Sequence, residues 1–143
     1  MILCDVNVLV YAHRAEAADH ERYAAWLTDA IESEQAYGVS ELVLSGFLRI
    51  VTHPRVMKVP SSIASALAFT EVLRQQPNAV TLSPGARHWG IFERLCRDAA
   101  ATGNLVPDAY LAALAIEHGA DLITTDRDFA RFDGLRWRHP LRY

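Results

Sequence analysis

Met1-Ile2-Leu3-Cys4-Asp5-Val6-Asn7 opens the chain with a short apolar run that closes on an acid. A run this short, followed at once by a helical pattern, predicts a buried strand of a parallel sheet. Two later stretches have the same form. Asp108 follows Leu105-Val106-Pro107, and Asp126 with Asp128 follows Leu122-Ile123-Thr124-Thr125. Read as strand ends, all three deliver carboxylates to one edge of a sheet, where open α/β sheets bind their ligands. Each acid alone has a plainer reading: Asp5 and Asp108 as helix N-caps, Asp126 and Asp128 as a polar turn. Three such segments at one edge favour a shared pocket. Carboxylates that close repel unless protons or cations sit between them, and an all-oxygen set suits Mg²⁺ or Mn²⁺. The expectation is a metal-dependent enzyme acting on phosphate esters.

Outward from these stretches, strands and helices alternate. Tyr23, Trp26, Leu27, Ala30 and Ile31 have the spacing of one buried helix face. Residues 36–39 predict a second strand, and Ser40 a cap for a helix over 41–51. Pro60-Ser61-Ser62 opens a helix with two apolar stripes, one of Ile63, Ala66 and Leu67, the other of Phe69, Val72 and Leu73. Such a helix is deeply buried or shared with a partner. Residues 79–82 predict a third strand, followed by a helix with Trp89, Phe92 and Cys96 on one face. A helix over about 108–118 ends at Gly119. A fourth strand covers 121–125, and Leu135-Arg136-Trp137 adds an edge strand. The fold class is α/β: a three-layer, doubly wound fold with a parallel sheet of four to five strands and helices on both faces.

At 143 residues, half of them hydrophobic, the chain is one domain spanning 1–143 with a sizeable core. No apolar run approaches the roughly 20 residues of a membrane span, and the N-terminus lacks the basic and apolar regions of a signal peptide. Cys4 reads as a small core residue and no disulfide with Cys96 is expected, which fits the cytoplasm. A net charge of −3 excludes a protein that holds nucleic acid by a generally basic surface. Arginine supplies nearly all the basic residues, Lys58 being the sole lysine. Arg127, Arg131, Arg136, Arg138 and Arg142 make the C-terminal third locally basic, able to hold a backbone or simply solvated. His13, His20, His53, His88, His118 and His139 have no zinc-ligand spacing. Trp26, Trp89 and Trp137 read as core or interface.

Asp5-Val6-Asn7, Asn104 through Asp108, and Thr124-x-Asp126-x-Asp128-Phe129, in this order and spacing, resemble the PIN-domain nucleases, and most of all the VapC toxins of bacterial toxin–antitoxin pairs. The segments Gly46 to Val56 and Gly103-Asn104-Leu105-Val106 resemble a branch abundant in mycobacteria. The resemblance covers nearly the whole chain. It implies that Asp5, Asp108 and Asp126 bind metal, with Asp128 a less uniform fourth acid, and that Asn7 and Thr124 are the accompanying polar residues. It departs at one point. The family places a glutamate in the helix after the second strand, and alignment on Ser40 puts Gly46 there. Glu41 lies five residues earlier, about 140° round the helix and about 7.5 Å back along it. It either reaches the pocket or serves as a first-turn acid.

The resemblance further implies a Mg²⁺-dependent endoribonuclease, with Mn²⁺ a possible substitute, that cuts structured RNA such as tRNA or rRNA to 5′-phosphate and 3′-hydroxyl ends. It implies a VapB-type antitoxin whose C-terminal segment covers the acidic site, and a homodimer. Two other classes remain at this stage. A non-catalytic RNA-binding or regulatory protein would fit the missing glutamate. An aspartate-dependent phosphatase or phospho-acceptor domain would fit the first-strand acid, but needs a lysine at a strand end, and Lys58 falls in a loop between helices.

Overall fold

A computed structural model describes residues 1–142; Tyr143, the last residue of the expected domain, lies outside them. Five strands form one sheet: β1 (Ile2–Cys4), β2 (Tyr37–Val39), β3 (Ala79–Thr81), β4 (Asp121–Ile123) and β5 (Trp137–Arg138). Their order is β3-β2-β1-β4-β5 and every pairing is parallel. The chain builds outward from β1 through β2 to β3, then returns to lay β4 on the other side of β1. The crevice beyond β1 and β4 is therefore the topological switch point, where such sheets bind ligands.

Six α-helices flank the sheet: α1 (Val6–His13), α2 (His20–Glu32), α3 (Glu41–Val51), α4 (Ile63–Arg74), α5 (His88–Asp98) and α6 (Leu105–Glu117). Asp5 starts α1, its Oδ1 accepting from Val6 N at 2.7 Å. Ser40 and Ser62 start α3 and α4 the same way, accepting from Val43 N and Ser65 N. Gly38, in β2, is fixed by close approach, since a Cβ there would meet Leu82 Cδ1 at 2.5 Å. The core joins Leu3, Leu122 and Ile123 of the sheet to Phe47, Val51, Leu95, Leu114 and Phe129. No described helix is long and apolar enough to cross a membrane. Cys4 and Cys96 are both free, and burial pushes the Cys4 thiol up to about 12, as befits a packing residue.

Three expectations are corrected. Leu105-Val106-Pro107 is not a strand but the first turn of α6. Pro107 belongs there because a first-turn N–H has no intrahelical partner to lose. The short apolar run resembled a strand because α6 is apolar all round; Leu111 through Ala115 are buried consecutively. The α5 residues expected on one face divide: Phe92 and Cys96 pack against the core beside the buried His88 and Leu95, whereas Trp89 is 61% exposed. Of the two alternatives for α4, deep burial on both sides is removed. Ala66, Thr70 and Leu73 face the core while Ile63, Leu67 and Val72 are exposed.

Candidate metal and substrate site

Asp5, Asn7 and Thr124 form one hydrogen-bonded unit where β1 meets β4. Asp5 N donates to Ile123 O at 2.9 Å, continuing the ladder one residue past β1. Thr124 is fully buried, and its hydroxyl donates to Asp5 Oδ2 at 2.8 Å. Asn7 Nδ2 donates to the same oxygen at 3.0 Å and reaches Thr124 Oγ1 at 3.3 Å, while Asn7 Oδ1 accepts from Thr125 N. Thr124 Oγ1 also accepts from Asp126 N at 3.1 Å. An ionised carboxylate has about four lone-pair positions. Val6, Thr124 and Asn7 use three of them, leaving the open one on Oδ1. The network thus orients Asp5 and leaves a single oxygen direction free.

Asp108 comes from the first turn of α6 rather than a strand end. It lines, together with Asp5, a cleft of about 320 Å³. Pro107 and Leu111 complete the α6 wall, and α3 supplies the opposite one with Leu42, Ser45, Gly46 and Arg49. Asp126 and Asp128 are not in these walls. They follow β4, where Asp126 caps a short 3-10 helix (Arg127–Arg131) by accepting from Asp128 N at 2.9 Å.

The acids nonetheless share one field. Burial raises the Asp108 carboxyl from 3.8 to about 6, and the charges of Asp126, Asp5 and Asp128 push it the same way. Asp5 is also raised, first by burial; the bonds from Thr124 and Val6 oppose the shift, Asp126 adds to it, and Asn7 opposes it. For both Asp5 and Asp108, burial is the larger cause and the neighbouring carboxylates add to it. Among the described residues, no three His, Cys, Asp or Glu side chains stand close enough to enclose a metal ion.

The structure separates the remaining expected residues. Glu41 does not line the cleft; it is exposed and pairs with Arg74 at 3.7 Å. Gly46 does line it, and a Cβ there would meet only Val6 Cγ2, at 3.1 Å. The position of the family glutamate therefore faces the acids with no side chain. Among the C-terminal arginines, Arg136 is occupied within the fold, donating to Asp121 Oδ1 at 2.6 Å and to Gly119 O. Lys58 lines a separate groove with His13 and Arg14, leaving the acidic cleft without the lysine that phosphoaspartate chemistry requires. Sequence reasoning missed Arg49 as a cleft residue. The available signal was the spacing of Leu42, Ser45, Gly46 and Arg49, which defines one helix face.

An acidic cleft at the switch point of a five-stranded parallel sheet defines the class, and the sequence comparisons agree. The PIN domain family model matches residues 2–135, and the chain belongs to that family. Within it the match is to the VapC ribonucleases. A VapC ribonuclease of Mycobacterium bovis is 45% identical over 141 residues, covering 99% of this chain and 96% of the relative. Ribonuclease VapC25 of Mycobacterium tuberculosis is 41% identical, covering 98% and 99%. Among solved structures, VapBC2 from Rickettsia felis bound to a promoter DNA fragment aligns with TM-score 0.70 at 19% identity, over 97% of this chain and 98% of that one. Mycobacterium tuberculosis VapC20, described as a Sarcin-Ricin loop cleaving toxin, aligns with TM-score 0.66 at 18% identity, over 95% and 99%. At those identities the structural matches speak for the fold.

Proposed function

We propose that this protein is the toxin of a toxin–antitoxin pair, a Mg²⁺-dependent endoribonuclease that hydrolyses phosphodiester bonds in structured RNA, tRNA or rRNA, in the cytoplasm. The observation that carries the proposal is the meeting of Asp5 and Asp108 in one cleft, with the Asp108 carboxyl raised to about 6 by burial and by the charges of Asp126 and Asp5. Asp5 and Asp108 would hold the ion, with Asp126 drawing on it from the β4 side; Mn²⁺ is the natural substitute. Bound there, the ion supplies charge to offset the phosphodiester and a water acidic enough to attack at neutral pH.

The protein's own residues do the rest. Thr124 and Asn7 fix the Asp5 carboxylate, so that its free Oδ1 position is oriented before any ligand arrives. Burial of Thr124 keeps water from competing for that bond. Without a cation, Asp108 holds a proton below about pH 6, and deprotonation makes it available as a ligand above that. Leu42, Pro107 and Leu111 give the cleft apolar walls that suit an unstacked loop nucleotide.

The toxin reading draws on the VapC relatives and on the solved VapBC complexes that share the fold. It implies a VapB-type antitoxin and a homodimer, with the exposed Ile63, Leu67 and Val72 face of α4 a candidate contact for either. The test is cleavage of total RNA by the purified protein in Mg²⁺, in Mn²⁺ and in EDTA, with the new 5′ ends mapped and Asp108→Asn as control. Metal-dependent cuts at defined positions, abolished in the variant, are expected. Equal cleavage in EDTA, or by the variant, would overturn the reading.

A further inference from the structure

Helix α3 turns one face to the acidic cleft, and that face carries a positive charge. Leu42, Ser45, Gly46 and Arg49 line the wall opposite Asp108. Arg49 is the only cationic residue in either wall, is exposed, and forms no ion pair among the described residues. Glu41, the acid of the same helix, is taken by Arg74 instead. Gly46, three residues before Arg49 and so beside it on the helix, lines the same cleft with no side chain of its own, and a Cβ there would meet only Val6 Cγ2, at 3.1 Å.

An RNA phosphodiester entering this cleft meets a field unfavourable to it. Asp5 and Asp108 are anionic, and so is the phosphate. A guanidinium on the facing wall reverses that locally, and its planar fork can bond two phosphate oxygens at once. We propose that Arg49 is a substrate-binding residue, holding a non-bridging phosphate edge of RNA over Gly46 and opposite Asp108. The absent side chain at position 46 leaves room for that phosphate, where a glutamate would both fill the space and pair with Arg49. This rests on the ribonuclease reading for its cleavage arm, but not for its binding arm.

Arg49 is exposed, so Arg49→Gln and Arg49→Lys should fold; circular dichroism and thermal melts confirm it. Binding of a short mixed-sequence single-stranded RNA is measured in EDTA across a salt series, and cleavage of ribosomal RNA in Mg²⁺ as KM against kcat. Arg49→Gln should weaken RNA binding about tenfold or more, the range for a lost charge-assisted contact, and raise KM in proportion with little change in kcat. Its log–log salt slope should fall by about 0.7, the loss of one single-strand phosphate contact. Arg49→Lys should recover the slope but only part of the affinity, since an ammonium lacks the fork. Mn²⁺ binding by the protein without RNA should not weaken, because Arg49 is no ligand. Unchanged RNA affinity and salt slope in Arg49→Gln would overturn the proposal and leave Arg49 as a complement to the α3 dipole. A fall in kcat at constant KM and constant affinity would overturn it as well. If the parent binds RNA in EDTA but cleaves none in Mg²⁺, the ribonuclease reading fails while the binding arm still decides Arg49. If the parent binds no RNA in EDTA, the Arg49 proposal falls, while cleavage in Mg²⁺ still decides the ribonuclease reading.

Discussion

Replacing Asp108 by Asn should stabilise the metal-free protein at neutral pH, although it removes a residue the reaction needs. The folded-state carboxyl lies at about 6, against an ordinary value of 3.8. For an acid raised in this way, the folded protein binds the proton more tightly than the unfolded chain does. Charging the group therefore destabilises the fold as pH rises through this interval, and the full penalty is present above about pH 6. Taken at face value the shift is worth about 3 kcal/mol. Asp108 is half-buried, so solvent screening brings a realistic figure to about 1–2 kcal/mol. Its place in the first turn of α6 works the other way, since a negative charge there is worth about 0.3–1 kcal/mol to the helix. The net expectation is a gain of roughly 1 kcal/mol for Asp108→Asn at pH 8, shrinking to nothing or reversing below pH 4. Urea unfolding of parent and variant in EDTA at pH 8, 6 and 4 measures this directly, and saturating Mg²⁺ should reverse the order at pH 8. A variant less stable than the parent at pH 8 in EDTA would refute the picture of a cleft strained by its own charges. So would a difference between the two that does not change with pH.

Thr124→Val should cost about 1–3 kcal/mol by leaving Asp126 N and Asn7 short of a buried partner, and should raise the Asp5 carboxyl further because the bond that most lowers it is lost. The acidic limb of the RNA-cleavage pH profile should then move to higher pH, with Thr124→Ser restoring it; an unmoved limb would remove Thr124 from the site. Glu41→Gln should leave cleavage and its Mg²⁺ dependence unchanged, and stability within about 0.5 kcal/mol, since its only partner is an exposed pair with Arg74. A loss comparable with that of Asp126→Asn would return Glu41 to the site. Gly46→Glu should lower metal-free stability, because its Cβ crowds Val6 Cγ2 and its charge joins Asp5 and Asp108. It should also tighten Mn²⁺ binding measured calorimetrically, and unaltered Mn²⁺ affinity would show that position 46 does not face the metal. A protein encoded beside this one should co-purify with it and suppress its growth arrest; expression alone without arrest, from an active preparation, would point to housekeeping RNA processing.

Local pattern carried most of the architecture and part of the site. Asp5 and Asp126 stand where short apolar strands end, and that period-independent apolar signal survived folding because β1 and β4 are central and buried. Ser40, Ser62 and Gly119 marked helix ends through backbone chemistry that acts within a few residues. The same signal failed at Leu105-Val106-Pro107. A short apolar run has no visible period, and only the burial of α6 on every side shows it to be helix.

The sequence by itself determined which acids were available, their order along the chain, and the parallel α/β frame that brings distant segments to one edge. Tertiary structure alone decided which of them meet. Asp108 joins Asp5 in one cleft from a helix, Glu41 is drawn away to Arg74, and Arg49 enters that cleft as the one cation in its lining. The physical reason is one of range. Strand, helix and cap preferences act over a few residues, whereas the partner of a charged side chain depends on which elements the sheet order brings together. Here the return of β4 to the side of β1 makes that choice. It places Thr124 beside Asp5 across 119 residues of chain and turns scattered carboxylates into one electrostatic site.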